Sequence, residues 1–227
     1  MHIIKADNQS DAWVKVTNYL LSHGIKVGNL TELLNVGIEI HSSNKDFNFD
    51  KKFRKIFGDE RIDYASSVTF VEPRSNPLFN NDFVYEQNNP AAKWTKTYWG
   101  RMINWNGEFN QIEQTIKRLK EHKSSKTIVM SIYDPKTDGK KTMSGMPCLL
   151  NIDLKPRFGK LFLTANFRSQ AVSKSGYADY TALVDLADFL CEESGLEFGL
   201  VTSFAHSCHL RPDNEEKKNS LKLLEIL

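Results

Sequence analysis

The chain has 227 residues, of which 40% are hydrophobic and 26% are charged, the balance of one ordinary globular domain. Its 30 basic and 28 acidic residues leave a net charge of +2, which is too small to indicate a nucleic-acid or membrane surface. No apolar run approaches the roughly 18 residues of a membrane span, and the first residues do not resemble a signal peptide. Because the 3 cysteines form no even-numbered disulfide framework, we expect a reducing, cytoplasmic location.

Hydrophobic spacing and chain-breaking residues predict the elements of the first half. In chain order they are a helix over 11–24 capped by Asp11, a strand over 36–42, an irregular polar stretch over 43–97, a helix over 109–123 and a strand over 126–134.

The second half is predicted to hold the longest helix. Two strands over 148–155 and 160–169 are joined through Pro156 and Gly159, the helix covers 177–195 and ends at Gly195, and a last strand covers 196–210. This order predicts an α+β fold, a mixed β-sheet with one long helix packed on it, in a single domain over 1–227.

Cys148 is the residue around which a site is predicted. A lone cysteine at a strand is more often a small buried apolar residue than a nucleophile. Its neighbours in the sequence favour the nucleophile: Arg168-Ser169 closes the following strand, Asp179 lies in the first turn of the long helix, and His206 lies in the last strand.

This arrangement resembles the thymidylate synthase and deoxycytidylate hydroxymethylase superfamily over about residues 95–210. The resemblance implies a thymidylate-synthase-like fold, and it assigns a role to each matching residue. Cys148 in MPCLLN is the nucleophile, Arg168 and Ser169 in NFRSQAV bind the nucleotide phosphate, Asp179 in YADYTAL reads the pyrimidine edge, and His206 in SFAHSCH binds the sugar hydroxyl. Tyr98 of TYWGRMINW is expected to line the substrate pocket, and Lys126 opens the family's phosphate strand.

The reaction that the resemblance implies needs a thiolate. Carbon 5 of a pyrimidine is a poor nucleophile until a thiolate adds at carbon 6 and turns the ring into an enamine or enolate. Arg168 is expected to lower the pKa of Cys148 while its forked donors hold the phosphate. A surface salt bridge is the alternative role for Arg168.

The resemblance also implies a glutamate that relays protons to the ring and orders water. In the family it lies on an early helix, before the tyrosine-glycine segment. Glu60 in FGDERIDYASS is the best placement, with a solvated surface glutamate as the alternative.

Asp179 is predicted to set the choice of base. In the family, synthases that act on uracil carry asparagine at this position and deoxycytidylate hydroxymethylases carry aspartate. A carboxylate accepts a hydrogen bond from the cytosine amino group, and a shared proton satisfies N3. A mismatched buried polar group costs about 1–3 kcal/mol, which gives tenfold discrimination or more. The alternative is that Asp179 only caps its helix.

Several positions depart from the family pattern, and most of them concern folate. Lys126-Thr127 stands where a second subunit usually supplies two arginines, Ala171 replaces a folate-holding aspartate, Ser173-Lys174-Ser175 replaces Phe-Leu-Gly, and Cys208 replaces a sugar-binding tyrosine. The C-terminal portion is expected to be truncated after Leu210. A zinc site at His206, Cys208 and His209 is not expected, because neighbours in a strand face opposite ways and no second ligand pair follows.

The predicted function is therefore one-carbon transfer to carbon 5 of a pyrimidine nucleotide. The substrate is expected to be dCMP or CMP, the carbon donor 5,10-methylenetetrahydrofolate, the product a 5-hydroxymethyl nucleotide, and the enzyme a homodimer. One alternative is a thymidylate synthase that acts on dUMP. The other is a homologue that binds nucleotides without catalysis.

Overall fold

A computed structural model describes residues 1–58, 97–139, 146–211 and 214–227. Within these ranges the strands are β1 His2–Ala6, β2 Ile25–Val27, β3 Leu30–Ile40, β4 Ile128–Ser131, β5 Leu149–Arg157, β6 Lys160–Phe167, β7 Gln170–Ala171 and β8 Glu197–Leu210. The α-helices are α1 Gln9–His23, α2 Phe47–Phe57, α3 Tyr98–Ile103, α4 Gln111–Glu121, α5 Pro135–Asp138, α6 Tyr177–Ser194 and α7 Asn214–Glu225, and a π-helical turn covers Val172–Gly176.

The strands form one mixed sheet in the order β1-β3-β8-β6-β5-β4. β1 runs parallel to β3 and β6 runs parallel to β8, whereas β3–β8, β5–β6 and β4–β5 are antiparallel pairs. The short strands β2 and β7 pair with β3 and β8. This sheet and its helices confirm the predicted α+β class.

The long helix α6 lies over the sheet as predicted. It is buried along most of its length, and Gly195 follows it with a left-handed φ of 67°. That conformation is one that glycine adopts without strain, so the predicted end of the helix is confirmed. α1 packs beside α6, and its Trp13 is fully buried and donates a hydrogen bond to the carbonyl of Val172 at 3.0 Å.

The predicted N-cap of the first helix was wrong. The helix begins at Gln9, and the Asn8 side chain accepts hydrogen bonds from the N–H groups of Ser10 and Asp11, both at 3.0 Å. Asp11 lies in the first turn and pairs with Lys15 at 2.7 Å. Both residue types are good caps, and the chain uses the earlier one.

The prediction of irregular structure was also wrong at the start of the 43–97 stretch, where α2 forms. Phe49, Phe53 and Phe57 recur every fourth residue and pack on Trp13, with ring centroids 5.8, 5.3 and 6.2 Å from its ring. An apolar stripe at this spacing is the pattern of an amphipathic helix. The polar residues between the phenylalanines hid it.

The connection between β5 and β6 is tighter than predicted. Pro156 lies inside β5, and the turn is made by Phe158 and Gly159, with φ angles of 54° and 76°. Positive φ at both central residues is what a two-residue type I′ hairpin turn requires.

The sheet loses its regular alternation near one end of β3 and β8. Ala205 is buried and His206 is exposed, but Cys208, His209 and Leu210 are all buried. Asn35 in the facing part of β3 has a left-handed φ of 56°. An irregularity of this kind redirects side chains locally. In the described ranges, no helix has both the length and the apolar character needed to cross a membrane.

Candidate active site

Cys148 lies immediately before β5, where a tyrosine fixes its backbone. The N–H groups of Cys148 and Leu149 both donate to the hydroxyl oxygen of Tyr98, at 2.9 and 3.2 Å. Tyr98 is the first residue of α3, a helix capped by the Thr97 side chain. The structure therefore brings Tyr98 to the predicted nucleophile.

Arg168 lies on the other side of Cys148. Its Nε donates to the carbonyl of Pro147 and its Nη2 to the carbonyl of Met146, each at 2.9 Å. The same Nη2 lies 3.9 Å from the Cys148 sulfur. The carbonyl groups hold the guanidinium against the thiol, so Arg168 does not make the surface salt bridge that was its alternative role.

The thiol of Cys148 responds to several opposing influences. Burial raises its pKa and is the largest effect, the positive charge of Arg168 lowers it, Asp179 raises it, and Arg211 lowers it. The net pKa lies above the ordinary value. Arg168 acts in the predicted direction, but desolvation outweighs it, so the resting group is a thiol.

Asp179 does not cap α6. The helix continues directly from the π-helical turn, and no side chain caps its first residue, which follows Gly176. The Asp179 carboxyl is buried, and its Oδ2 accepts a hydrogen bond from the side-chain amide of Gln170 at 3.2 Å. Burial raises the pKa of Asp179 to about 7, and the bond from Gln170 opposes that rise. The capping alternative is therefore removed.

Gln170 belongs to the same polar cluster, although the sequence did not single it out. Its Oε1 accepts hydrogen bonds from the hydroxyl groups of Ser203 at 3.1 Å and Tyr180 at 3.5 Å. Its position directly after Arg168-Ser169 was the only sequence signal. Cys208 adjoins the cluster, because its thiol raises the pKa of Tyr180. Burial raises the pKa of Cys208 itself to about 12.

His206 does not lie with this cluster. Its side chain is exposed, and its ring packs edge-on against Phe204 at 5.1 Å, whereas Ser203 and Ala205 face the core. His209 is buried instead, and its Nδ1 has no hydrogen-bond partner among the described residues. Burial and the charge of Arg211 lower the pKa of His209. The resemblance named His206 for the sugar hydroxyl, and that role stays a prediction; the regular alternation of β8 breaks after His206.

The other predicted site residues fall in different places. Ser169 is half-buried between Arg168 and Gln170. Lys126 is exposed before β4, and extending the β4–β5 register sets it opposite Pro156, about 27 Å from Cys148 at roughly 3.4 Å per residue. The structure does not bring Lys126 to the cysteine within one chain. Glu60 lies outside the described residues.

A buried ion pair supports the helix that carries Tyr98. The Arg101 guanidinium binds the Asp138 carboxylate with two hydrogen bonds, at 2.6 and 2.9 Å, and also donates to the carbonyl of Ile132. The Gln111 amide donates to the carbonyls of Arg101 and Ser131. This network fixes α3 to the end of β4 and so holds the Tyr98 hydroxyl beneath Cys148.

The segment after β7 is occupied by packing contacts. The carbonyl of Ser173 accepts a hydrogen bond from the Trp13 indole at 2.5 Å, and the Ser173 hydroxyl donates to Glu216 of α7. Ala171 offers a methyl group where the resemblance assigns a carboxylate that holds folate. These side chains do not supply the donor set that the predicted cofactor would use there.

Comparisons with known proteins agree on one family. A family model described as thymidylate synthase matches residues 50–222. A Methanosarcina mazei protein named "Putative thymidylate synthase" is 29% identical over 215 residues, covering 92% of this chain and 88% of its own length. A protein of the same name from Methanothermobacter marburgensis is 28% identical over 232 residues, covering 96% of this chain and 97% of its own length.

Among solved structures, thermostable thymidylate synthase A from Bacillus subtilis has a similar fold. The TM-score is 0.62 at 15% sequence identity, and the match covers 96% of this chain and 84% of that chain.

Proposed function

Since this chain belongs to the thymidylate synthase family, we propose that it transfers a one-carbon unit to carbon 5 of a pyrimidine nucleotide, with dCMP or CMP preferred. The observation that carries the proposal is the cluster at one end of the sheet: a thiol, a guanidinium 3.9 Å from it and a buried carboxyl whose charge acts on the same thiol. A thiol and a carboxyl are the two groups that addition to a pyrimidine ring requires.

The first step forms a bond between the Cys148 sulfur and carbon 6 of the ring. The electrons of the carbon 5–carbon 6 double bond move toward carbon 5 and the ring nitrogen, and the proton on Asp179 passes to N3 of cytosine. The resulting enamine makes carbon 5 nucleophilic. In the exchange reaction carbon 5 then takes up a proton from water. Loss of the original carbon 5 proton to water, return of the N3 proton to Asp179 and expulsion of the Cys148 thiolate restore the ring.

The thiol must first lose its proton. Its pKa is raised chiefly by burial and by the charge of Asp179. When Asp179 shares a proton with the bound base, its carboxyl is neutral. Its negative charge then no longer raises the pKa of Cys148. Binding of cytosine therefore lowers the pKa of Cys148, with Arg168 and Arg211 acting in the same direction.

The expected carbon donor is 5,10-methylenetetrahydrofolate, and the expected product is the 5-hydroxymethyl nucleotide. No step above depends on folate, because Ala171 and Ser173 do not supply the groups that the resemblance assigns to it. Cys148 supplies the sulfur and Asp179 the proton for addition at carbon 6, and Glu60 is the residue proposed to relay protons at the ring.

Release of tritium from carbon 5 tests the proposal. Labelled dCMP, CMP and dUMP are incubated separately with the protein, with and without methylenetetrahydrofolate. We expect release from a cytidylate to be faster than release from dUMP. No release from any of the three nucleotides, under either condition, would contradict the proposal.

Thymidylate synthesis from dUMP is the second candidate, and the buried state of Asp179 supports it. A carboxyl with a pKa of about 7 is half-protonated at neutral pH. A neutral carboxyl offers one donor and one acceptor, as asparagine does, and so matches the uracil edge. Faster tritium release from dUMP than from either cytidylate would select this candidate.

We also propose that the enzyme is a homodimer joined through the face of the sheet opposite α1 and α6. The buried residues of the strands lie under α1 and α6, while the opposite face carries Phe162 and Phe204 half-buried and Ile3 and Val129 45% and 47% exposed. An apolar sheet face of this kind is typical of a protein interface. With a second copy of the chain at this face, Lys126 of one subunit can approach the active site of the other. Sedimentation should show a dimer, and a stable monomer at micromolar concentration would contradict this.

A further inference from the structure

The amide of Gln170 is a buried group whose orientation is set by its neighbours. Gln170 is 1% exposed, Ser203 and Tyr180 are fully buried, and Asp179 is 7% exposed. Both hydroxyl groups direct their hydrogens to Oε1, which leaves Nε2 to donate to Oδ2 of Asp179. An unpaired amide would be costly here, so the four side chains form one linked network.

This network treats the two oxygens of Asp179 differently. Oδ2 receives the hydrogen of the amide, and no hydrogen bond reaches Oδ1 from the described residues. A proton on Oδ2 would make that oxygen a poorer acceptor and weaken the bond from Gln170, whereas a proton on Oδ1 leaves that bond intact. The network therefore favours a shared proton on Oδ1, with Oδ2 as the acceptor.

We propose that Gln170 is a specificity-determining residue: it fixes which oxygen of Asp179 donates and which accepts, and thereby sets the preference between cytosine and uracil. Cytosine and uracil differ only in the order of donor and acceptor at their 3,4 edge. A carboxyl free to hold its proton on either oxygen matches both bases, whereas a carboxyl fixed by Gln170 matches one. The inference rests on the proposed function, since it requires a pyrimidine to face Asp179.

Other groups near Asp179 cannot give this discrimination. Its charge acts on the Tyr98 and Tyr180 hydroxyls and on the Cys148 thiol, and Arg168 and Arg211 act in turn on that thiol. None of these groups donates a hydrogen bond to the carboxyl in the described structure. They change how readily Asp179 is ionised, but they do not distinguish its two oxygens.

Two substitutions at Gln170 test the inference. Gln170→Glu keeps the shape of the side chain and replaces the donor with an oxygen, and Gln170→Met removes both polar atoms. The dissociation constants of dCMP and dUMP are measured by calorimetry for each variant. We expect the ratio of the two dissociation constants to move toward 1 by about tenfold, because a hydrogen bond to a charged group changes an affinity by roughly that factor.

Serine variants provide a matched control. Ser203→Ala removes one hydroxyl that orients the amide and should narrow the ratio by a smaller factor, about threefold. Ser194→Ala removes a buried hydroxyl that donates to the carbonyl of Leu190 at the far end of α6, about 22 Å away along the helix at roughly 1.5 Å per residue, and should leave the ratio unchanged.

A ligand-free readout separates this inference from the proposed function. The carboxyl of Asp179 is titrated by carbon-13 NMR in the wild type and in Gln170→Met. Loss of the Gln170 amide donor should raise the titration midpoint of Asp179 by about one pH unit, since a hydrogen bond to the ionised carboxylate favours the ionised form.

Equal weakening of dCMP and dUMP binding in Gln170→Met, with an unmoved Asp179 midpoint, would overturn the role of Gln170 while the proposed function stands. A wild type that binds neither nucleotide would overturn the proposed function and this inference with it. A narrowed ratio together with a raised midpoint supports both.

Discussion

Two neighbouring parts of this molecule use their polar side chains differently. At the Cys148 end of the sheet, three polar side chains contact the predicted nucleophile or the buried carboxyl: Tyr98 and Arg168 contact Cys148, and Gln170 donates to Asp179. A few residues along the chain, the polar groups of Ser173 join neighbouring helices instead. Ser173 bonds to Trp13 and to Glu216 of α7.

This difference between the two regions shows which buried polar groups of the fold indicate a reaction. Buried polar groups that converge on one thiol cost stability unless they are paired, so their presence points to a reaction. Buried polar groups that join a turn to two helices stabilise the fold and carry no such implication. We therefore propose a chemical role for the Cys148 cluster and structural roles for Ser173 and Glu216.

The largest effect is expected from Cys148→Ala. Tritium release from carbon 5 should fall by about 10³-fold or more, because no other group can form the bond to carbon 6. Nucleotide affinity, measured by calorimetry, should change by less than about fivefold. Cys191→Ala is the matched control, since that buried thiol lies in the last turn of α6, whereas Asp179 lies in the first turn. Tritium release that survives in Cys148→Ala would show that Cys148 is not the nucleophile.

The support beneath Cys148 can be broken at Arg101. Arg101→Met removes the guanidinium that makes two hydrogen bonds to the buried Asp138 carboxylate, and the free energy of unfolding should fall by about 3–5 kcal/mol. Chemical denaturation measures this loss. Adding Asp138→Leu to the same protein should restore much of it, because the buried negative charge is then gone. A loss below about 1 kcal/mol in the single variant would show that the pair does not hold α3 in place.

Asp179→Asn should reverse the choice of base. The amide presents a fixed donor and acceptor to uracil, so the ratio of dCMP to dUMP affinity should move toward dUMP by tenfold or more. Calorimetry with both nucleotides gives this ratio. The thermal midpoint of the variant serves as the control for folding. An unchanged ratio would mean that the base does not face Asp179.

The pH dependence of stability should reveal the same carboxyl. Its pKa is raised from 3.8 to about 7 in the folded protein, so the folded state binds the proton more tightly than the unfolded state does. Between these two values, stability should fall as pH rises, and the penalty should level off above about pH 7. Subtracting the Asp179→Asn profile isolates this contribution. A flat difference between pH 4 and 7 would show that the buried carboxyl titrates normally.

The smallest effect is expected in the packing segment. Ser173→Ala removes the bond to Glu216 and should lower the free energy of unfolding by about 1 kcal/mol, with tritium release unchanged within about twofold. Denaturation and the exchange assay on one preparation give both values. A large loss of exchange at normal stability would place Ser173 in the chemistry and remove the contrast between the two regions.

The sequence predicted the fold where local signals agree. α6 is apolar over a broad face and is followed by Gly195, so its length and end followed from the pattern. The prediction failed where two local signals compete, as at Asn8 and Asp11, or where polar residues separate an apolar stripe, as in α2. Tertiary packing against Trp13 decided the second case.

The site was predictable only in part, for a different reason. Cys148, Arg168 and Asp179 were named because the family pattern fixes their spacing. Gln170 has no such signal, since a glutamine in a short strand becomes informative only when Ser203 and Asp179 are brought to it. His206 was named from the family pattern, which carries no information on burial. The burial of His209 follows from the break in the alternation of β8, opposite the left-handed Asn35.

A crystal structure of the protein soaked with dCMP would show whether the base meets both Cys148 and Asp179. We expect the Cys148 sulfur to lie within about 3.5 Å of carbon 6 or to be bonded to it, and the Asp179 carboxyl to lie about 2.7–3.2 Å from N3 and N4. The phosphate should lie beside Arg168. A pyrimidine ring bound away from Cys148, or turned so that its 3,4 edge does not meet Asp179, would contradict the account.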